Sequence, residues 1–149
     1  MSNTVSIGDY GEALALVNFL SKGAIVSKPL SNNARYDLVV EINHKIYRVQ
    51  VKATNAIKDG KMEFATKTTN YTKGSWKSVP YSARDIDIFF LYCVENDWCG
   101  LYIVQDSDEN IPQQLNIRLD PPKNNQKIGI RLAEDYCFET QYQKLIDEE

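Results

Sequence analysis

The sequence predicts an α/β or α+β domain in which helices flank a mixed central β-sheet. Apolar residues recur at helical spacing between Ile7 and Leu20, which is typical of a helix with a buried face. Two strand-like runs on either side of Asn43-His44 predict an antiparallel hairpin. The nearly continuous apolar run Asp85–Val94 predicts a strand that is covered on both faces. A length of 149 residues favours one domain, 1–149.

The predicted elements follow one another as a helix, three strands, a long loop, two strands, an irregular segment and a helix. The first helix covers residues 9–22, because Asp9 and Glu12 stand three apart, as in a capping box, and Gly23 follows as a stop signal. The five predicted strands lie within Gly23–Pro29, Tyr36–Ile42, Lys45–Thr54, Asp85–Val94 and Cys99–Val104.

The remaining segments are polar and rich in residues that interrupt regular structure. The tract Asn55–Ser82 is basic and aromatic, and it predicts an insertion or long loop with a ribbon around Lys61–Lys67. After Val104, prolines at positions 112, 121 and 122 predict irregular structure. A short helix is expected within Ala133–Ile146.

Charge is distributed unevenly along the chain, although the net charge is only -3. Residues 1–80 carry 11 Lys and Arg against 6 Asp and Glu, whereas residues 81–149 carry 6 against 14. Such asymmetry indicates an anionic partner for the basic part, with an ordinary solvated basic surface as the alternative.

The cysteine and histidine content excludes the usual structural zinc site. There are three cysteines without a C-x-x-C pair, and His44 is the single histidine, expected at the hairpin tip. A catalytic metal must therefore be held by oxygen atoms, which points to Mg²⁺ or Mn²⁺. No apolar run approaches the roughly 20 residues of a membrane helix, and no signal peptide is visible, so a soluble, cytoplasmic protein without a membrane partner is expected.

The predicted hairpin brings polar side chains together at one end. If Asn43-His44 is the turn, Asp37 lies opposite Gln50. Gln50 and Lys52 point to the same face because side chains alternate along a strand. The first helix can place Glu12 beside them.

This set matches the requirements of phosphodiester hydrolysis. A divalent metal neutralises the phosphate and activates a water molecule. Its predicted ligands are the Asp37 carboxylate, the Gln50 amide oxygen, the Val51 carbonyl and Glu12, the last either directly or through water. Lys52 would orient or deprotonate the attacking water and stabilise the developing charge. Taken singly, Glu12 could be part of a capping box, Asp37 an edge-strand charge and Lys52 a surface lysine.

The motifs G-D-Y-G-E at Gly8–Glu12, Y-D-L-V-V at Tyr36–Val40 and V-Q-V-K at Val49–Lys52 resemble those of the PD-(D/E)XK nuclease superfamily. The similarity covers about residues 7–54. Within the superfamily the chain is most similar to the intron-encoded homing endonucleases of cyanobacterial group I introns, and more distantly to archaeal Holliday-junction resolvases. This resemblance implies a restriction-endonuclease-like core, magnesium-dependent double-strand cleavage, intron homing and assembly into a homotetramer.

Two positions depart from the pattern of the superfamily. Tyr36 replaces a frequent proline, which is common among such proteins. Gln50 replaces the usual Asp or Glu, so one negative charge is missing at the metal, and either its occupancy falls or its binding shifts towards Glu12.

Two polar segments are candidates for DNA contacts. Lysines of the tract after the catalytic strand are predicted to bind phosphates, and polar neighbours of those lysines to read base edges. The segment before Asp37 is a second candidate, with an ordinary polar turn as the alternative; Trp76 is expected in the core or an interface. The predicted DNA-binding residues are Lys28, Ser31, Asn32, Asn33, Arg35, Lys58, Lys61, Lys67, Thr68, Thr69, Asn70, Tyr71, Lys73 and Lys77.

One catalytic centre cuts one strand. Double-strand cleavage of a long pseudo-palindromic site therefore requires at least a dimer, while the resemblance favours a tetramer. The acidic, Tyr-rich C-terminal half is expected to form the subunit contacts. Two other functions stay open: a Holliday-junction resolvase, and a catalytically silent DNA-binding module of the same fold, which Gln50 keeps in consideration.

Overall fold

The computed structural model describes residues 4–107, 111–124 and 128–148. In chain order the elements are α1 (Thr4–Ser21), β1 (Ile25–Ser27), β2 (Leu38–Ile42), β3 (Lys45–Thr54), β4 (Ile57–Lys58), β5 (Lys61–Ala65), β6 (Lys67–Thr72), β7 (Ser75–Pro80), β8 (Ile88–Cys93), β9 (Trp98–Ile103), β10 (Gln114–Arg118), α2 (Ala133–Tyr136) and α3 (Phe138–Asp147).

The main sheet has five strands in the order β1-β2-β3-β8-β9. Strands β3 and β8 run parallel, and the other neighbours are antiparallel. The predicted mixed central sheet is therefore confirmed. All six residues of β8 are buried, as expected for an apolar strand in the middle of a covered sheet.

The two faces of the sheet are covered by different partners. Phe90 of β8 packs with Phe19 of α1 and Phe138 of α3 in one buried cluster. Its neighbour Phe89 points the other way, into a second cluster with Met62 and residues of the β10-β5-β4 sheet. Helices therefore cover most of one face, and a small three-stranded sheet covers the other.

The β2–β3 hairpin has the predicted turn and register. Asn43 and His44 both have positive φ values, 48° and 67°, which a two-residue hairpin turn requires. Leu38 pairs with Val49, so the residues facing each other are those that the turn position predicts. The hairpin prediction is confirmed, and β3 has the predicted bounds.

Helix α1 begins earlier than predicted. Asp9 and Glu12 lie in its interior, so interpreting them as a capping box is wrong. Its C-terminus has the predicted stop: Gly23 has φ 83°, and its N–H and that of Ala24 donate to the carbonyls of Leu20 and Phe19.

Helix α1 packs against β3 at residue 11, where even a Cβ atom would make only ordinary van der Waals contacts. A Cβ atom there would lie 3.4 Å from Val51 Cγ1 and 3.5 Å from Ala53 Cβ. The helix thus crosses β3 beside the predicted centre, with Glu12 at the crossing.

The tract 55–82 is mostly strand, so the long-loop prediction is wrong, although β5 lies where the sequence predicts a ribbon around Lys61–Lys67. Strand β5 alternates buried residues, Met62 and Phe64, with partly or fully exposed ones, and it pairs with β10. Strands β6 and β7 form a separate two-stranded ribbon, called the β6–β7 ribbon below. Its turn, Lys73-Gly74, has φ values of 51° and 77°. Strand β10 lies in the segment predicted to be irregular, and the C-terminal helix is present as α3.

Candidate catalytic site

Asp37 lies immediately before β2, at the open end of the hairpin. Its backbone N–H donates to the carbonyl of Val49 over 2.8 Å, and Val49 is also the residue that pairs with Leu38 at the end of β2. Its Oδ2 accepts a hydrogen bond of 2.9 Å from the backbone N–H of Val51. The carboxylate is thus fixed against the edge of β3, where β2 no longer covers it.

The same edge offers a backbone oxygen. In a strand, the N–H and C=O of one residue point to the same side of the strand. The N–H and C=O of the residue two positions further along point to that side too. Because the Val49 carbonyl and the Val51 N–H both point to the β2 side, the Val51 carbonyl points there too, beyond the end of β2.

Glu12 and Gln50 approach this edge from opposite faces of the sheet. Helix α1 packs on the face of β3 that carries Val51 and Ala53. Gln50 points to the opposite face, where it lines a cavity of about 600 Å³ together with Asp37. The fold therefore gathers a carboxylate, an amide and a backbone carbonyl around one strand end, with Glu12 beside them.

The pKa of Asp37 is raised from its ordinary value of 3.8. Burial of the carboxylate is the largest cause, and the negative charge of Glu12 adds to it. The hydrogen bond from Val51 and the positive charges of Lys52 and Lys28 act in the opposite direction but do not cancel the rise. A bound cation would relieve this unfavourable burial, so the electrostatics fit a metal ligand.

Glu12 forms an ion pair with Lys28, in which Oε1 and Nζ are 2.6 Å apart. This hydrogen bond and the charge of Glu12 are the main causes that raise the pKa of Lys28. Lys28 is exposed and lies in the segment between β1 and β2. The structure thus places this predicted DNA-binding lysine beside Glu12 and close enough to Asp37 for their charges to interact.

Lys52 extends from the same face of β3 as Gln50, as the alternation predicts. Its Nζ lies 3.5 Å from the backbone carbonyl oxygen of Lys67 and 5.3 Å from the centre of the Tyr81 ring. Its charge also acts on Asp37. The sequence did not predict that Tyr81 lies next to Lys52, because the two residues are 29 positions apart and no local pattern connects them.

The cavity beside Asp37 and Gln50 is polar and connects the hairpin end to the base of the β6–β7 ribbon. We call it the catalytic cavity. Its other lining residues belong to the segment before β2, to the ribbon and to the residue that follows it: Asn32, Asn33, Ala34, Arg35, Thr68, Val79 and Tyr81.

Arg35 is held by protein partners. Its guanidinium donates to Asp85 Oδ2 over 2.8 Å and to the carbonyls of Pro80 and Val79 over 3.0 and 3.1 Å. It also lies 4.2 Å from the centre of the Tyr81 ring. Arg35 thus anchors the segment before β2 to the end of the ribbon.

The other predicted DNA-binding residues are spread over three places. The chain segment before β2 contains the exposed residues Ser31, Asn32 and Asn33, and the two asparagines line the cavity. The β6–β7 ribbon carries Lys67, Thr69, Tyr71, Lys73 and Lys77. The β4–β5 turn is flanked by Lys58 and Lys61, and Lys61 Nζ lies 3.8 Å from Glu63 Oε1. Asn70 belongs to β6, and its side chain lies outside the described residues.

Trp76 is not part of the core, so that half of its prediction is wrong. Its side chain is 71% exposed on the ribbon and packs against Tyr71, which is 59% exposed, with a ring separation of 5.1 Å. The two residues form a cross-strand pair next to the ribbon turn.

Among the described residues, no three side chains of His, Cys, Asp or Glu gather into a metal site. A metal at this edge would therefore depend on the mixed donor set of two carboxylates, one amide and one backbone carbonyl. Oxygen donors of these types suit a hard divalent cation.

A model of the PD-(D/E)XK endonuclease family matches residues 2–139, and the chain belongs to this family of nucleases. Its fold is similar to that of a solved bacterial homing endonuclease, I-Ssp6803I, at 23% identity and a TM-score of 0.75. The alignment covers 98% of this chain and 95% of that chain. The expected family resemblance and the restriction-endonuclease-like core are thereby confirmed. None of the curated proteins compared with the chain matches it.

Enzymes of this family typically use divalent metal ions, in keeping with the oxygen donors at the hairpin end. In the described part of the chain, no helix is long and apolar enough to cross a membrane.

Proposed function

We propose that the chain is a site-specific, Mg²⁺- or Mn²⁺-dependent DNA endonuclease that makes double-strand breaks, of the homing type that serves intron mobility. The observation that carries the proposal is the gathering of Asp37, Gln50 and the Val51 backbone at one strand end, with Glu12 and Lys52 close enough for their charges to act on Asp37. Family membership supports the endonuclease class, and the fold neighbour is itself named a homing endonuclease.

In this proposal the chain's own groups have separate roles. Asp37, Gln50 and the Val51 carbonyl hold the metal, and Glu12 joins them directly or through water. The bound metal supplies neutralisation of the scissile phosphate and acidification of a water molecule. Lys52 orients the attacking water and stabilises negative charge that develops on the phosphate oxygens.

The ion pair of Glu12 and Lys28 supports a role for Lys28 in the same site. If Glu12 binds the metal directly, the metal competes with Lys28 for this carboxylate. The released lysine side chain is exposed and beside the catalytic carboxylates, where a DNA phosphate would lie. Lys28 therefore balances Glu12 before metal binding and contacts DNA afterwards.

Duplex DNA is the proposed substrate because of the β6–β7 ribbon. Its segment 67–80 contains three lysines and no acidic residue. A two-stranded ribbon has the dimensions to enter the major groove, and exposed lysines beside it can bind phosphates. The ribbon's Thr68 and Val79 line the catalytic cavity, so DNA held along the ribbon would bring a phosphate near Asp37.

A second copy of the chain is required to cut both strands of a pseudo-palindromic site, and the sequence resemblance favours a tetramer. Helix α1 supports such assembly. It is apolar over most of its surface, and its side chains Leu16, Val17 and Leu20 are exposed. The proposed subunit contact thus shifts from the acidic C-terminal half towards α1. Sedimentation that gives only a monomer at micromolar concentration would contradict this.

The test is cleavage of a pool containing long random-sequence duplexes, DNA flanking the native gene and four-way junctions, in Mg²⁺ or in EDTA. Wild type is compared with Lys52→Ala and with Lys144→Ala, a control at an exposed lysine of α3. Wild type and Lys144→Ala should cut duplex only with Mg²⁺, and Lys52→Ala should bind DNA without cutting it.

Each other outcome points to a different function. Cleavage confined to the junctions would favour a resolvase. DNA binding without cleavage of any substrate would favour a silent DNA-binding module, the alternative that Gln50 keeps open. Full cleavage by Lys52→Ala would remove the assigned catalytic centre.

A further inference from the structure

Tyr81 connects the proposed catalytic lysine to the base of the ribbon. Its side chain is only 3% exposed, and its ring lies 5.3 Å from Lys52 Nζ and 4.2 Å from the guanidinium carbon of Arg35. Its hydroxyl oxygen accepts a hydrogen bond of 2.7 Å from Thr68 Oγ1. One buried ring thus contacts a lysine of β3, an arginine before β2 and a threonine of β6.

We propose that Tyr81 is the positioning residue for Lys52 in the cleavage reaction. Its ring holds the ammonium group beside Asp37 and Gln50, so that the lysine is in place before DNA arrives. This inference rests on the proposed function, because it assigns Lys52 a part in cleavage.

A lysine side chain needs such a restraint. Its four-carbon stem is flexible, and fixing it costs conformational entropy. The hydrogen bond from Lys52 to the Lys67 carbonyl is 3.5 Å long, which is too long to fix the group firmly. An aromatic ring within about 6 Å attracts an ammonium group through its electron-rich face. The Tyr81 ring is therefore the stronger restraint.

The ring itself is firmly oriented. It packs edge-on against Phe89, with ring centres 5.6 Å apart and planes at 85°. The hydrogen bond from Thr68 fixes its outer end. Arg35 covers the ring and binds the carbonyls of Val79 and Pro80, so the end of β7 is attached to the same unit. A ring held on several sides can define the position of Lys52.

The first test measures the contact without any cleavage assay. Lysines of the intact protein are reductively methylated with ¹³C, and the Lys52 signal is identified by its absence in Lys52→Arg. A group above an aromatic face has its methyl resonance shifted upfield. The shift should be present in wild type, retained in Tyr81→Phe and lost in Tyr81→Leu.

The second test asks whether the contact matters for the reaction, with the duplex that wild type cuts. Tyr81→Leu should lower the single-turnover rate constant about ten- to a hundredfold, as expected for a misplaced catalytic group, and leave the Kd for DNA in EDTA within about twofold. Tyr81→Phe should retain the rate, because it keeps the ring and loses only the bond from Thr68. The matched control is Phe64→Leu, which removes another buried ring of the same cluster away from Lys52 and should cut normally.

The two proposals fail in different ways. An unshifted Lys52 signal in wild type, or unchanged cleavage by a folded Tyr81→Leu, overturns the positioning role while the endonuclease remains. An equal loss of rate in Phe64→Leu overturns it as well, since general loosening of the cluster would then explain the effect. If wild type cuts no DNA, the proposed function fails, and the positioning role in cleavage fails with it. If Tyr81→Leu does not fold, the wild-type signal and the rate of Tyr81→Phe still decide.

Discussion

Removing lysines from the exposed part of the ribbon should change how salt affects DNA binding. Lys73 and Lys77 are both exposed on the ribbon, and neither forms an ion pair within the described residues. Each phosphate contact contributes about 0.9 to the slope of log affinity against log salt concentration for duplex DNA. The double variant Lys73→Gln/Lys77→Gln should therefore lose about 1.8 from this slope.

This difference in slope is large enough to measure. Between about 50 and 200 mM salt the affinity of wild type should fall about tenfold more than that of the double variant. Fluorescence anisotropy with a labelled non-specific duplex, in EDTA to prevent cleavage, gives both affinities. Because the replaced side chains are exposed and polar, the stability of the protein should stay nearly unchanged.

A matched control separates ribbon contacts from a general loss of positive charge. Lys123→Gln/Lys144→Gln removes two exposed lysines from the acidic C-terminal half, where no DNA contact is proposed. This variant should keep the wild-type slope. An unchanged slope in the ribbon variant, or an equal fall in the control, would refute the ribbon as the DNA-binding surface.

Three further predictions concern the site and the ribbon. Asp37→Asn should be more stable than wild type at pH 7, because burial raises the pKa of Asp37 and its ionised form destabilises the fold. Urea unfolding should show this difference vanish as the pH falls below 3.8, where Asp37 is protonated in both the folded and the unfolded protein. A variant that is less stable than wild type at pH 7 would contradict the prediction. Gln50→Glu should still cleave and should need less Mg²⁺ for half-maximal rate; a higher Mg²⁺ requirement would count against Gln50 as a ligand. In Trp98→Phe, the remaining Trp76 should change its fluorescence when duplex DNA binds, and constant emission during binding shown by anisotropy would separate Trp76 from the DNA.

The hairpin, and with it the positions of Asp37 and Gln50 in the candidate site, could be predicted from the sequence because they depend on local information. The Asn43-His44 turn fixes the pairing of β2 and β3 up to Leu38 and Val49, and the next residues, Asp37 and Gln50, line the same cavity. The apolar run that contains β8 fits a strand covered on both faces, and this strand pairs directly with β3. These features follow from turn chemistry and from the period-two alternation of side chains.

The strands outside the main sheet could not be predicted in the same way. Strand β5 pairs with β10, about fifty positions later, and the buried Met62 and Phe64 are stabilised by that distant partner. The ribbon strands are polar and mostly exposed, so they lack the apolar alternation that indicates a strand. The contacts of Arg35 could not be predicted for the same reason, because the three oxygen atoms that accept its hydrogen bonds belong to residues 79–85, far along the chain.

The neutral side chain at position 50 has a physical explanation in this site. Burial and the charge of Glu12 already make an ionised Asp37 unfavourable, and the Val51 N–H and the charges of Lys52 and Lys28 offset this only in part. A third carboxylate at Gln50 would add repulsion in the metal-free protein, although it would attract the metal more strongly once ionised. Gln50→Glu should therefore lower the stability of the free protein while raising its affinity for Mg²⁺. If Gln50 is a metal ligand as proposed, its neutral side chain favours a stable metal-free fold at the expense of metal affinity.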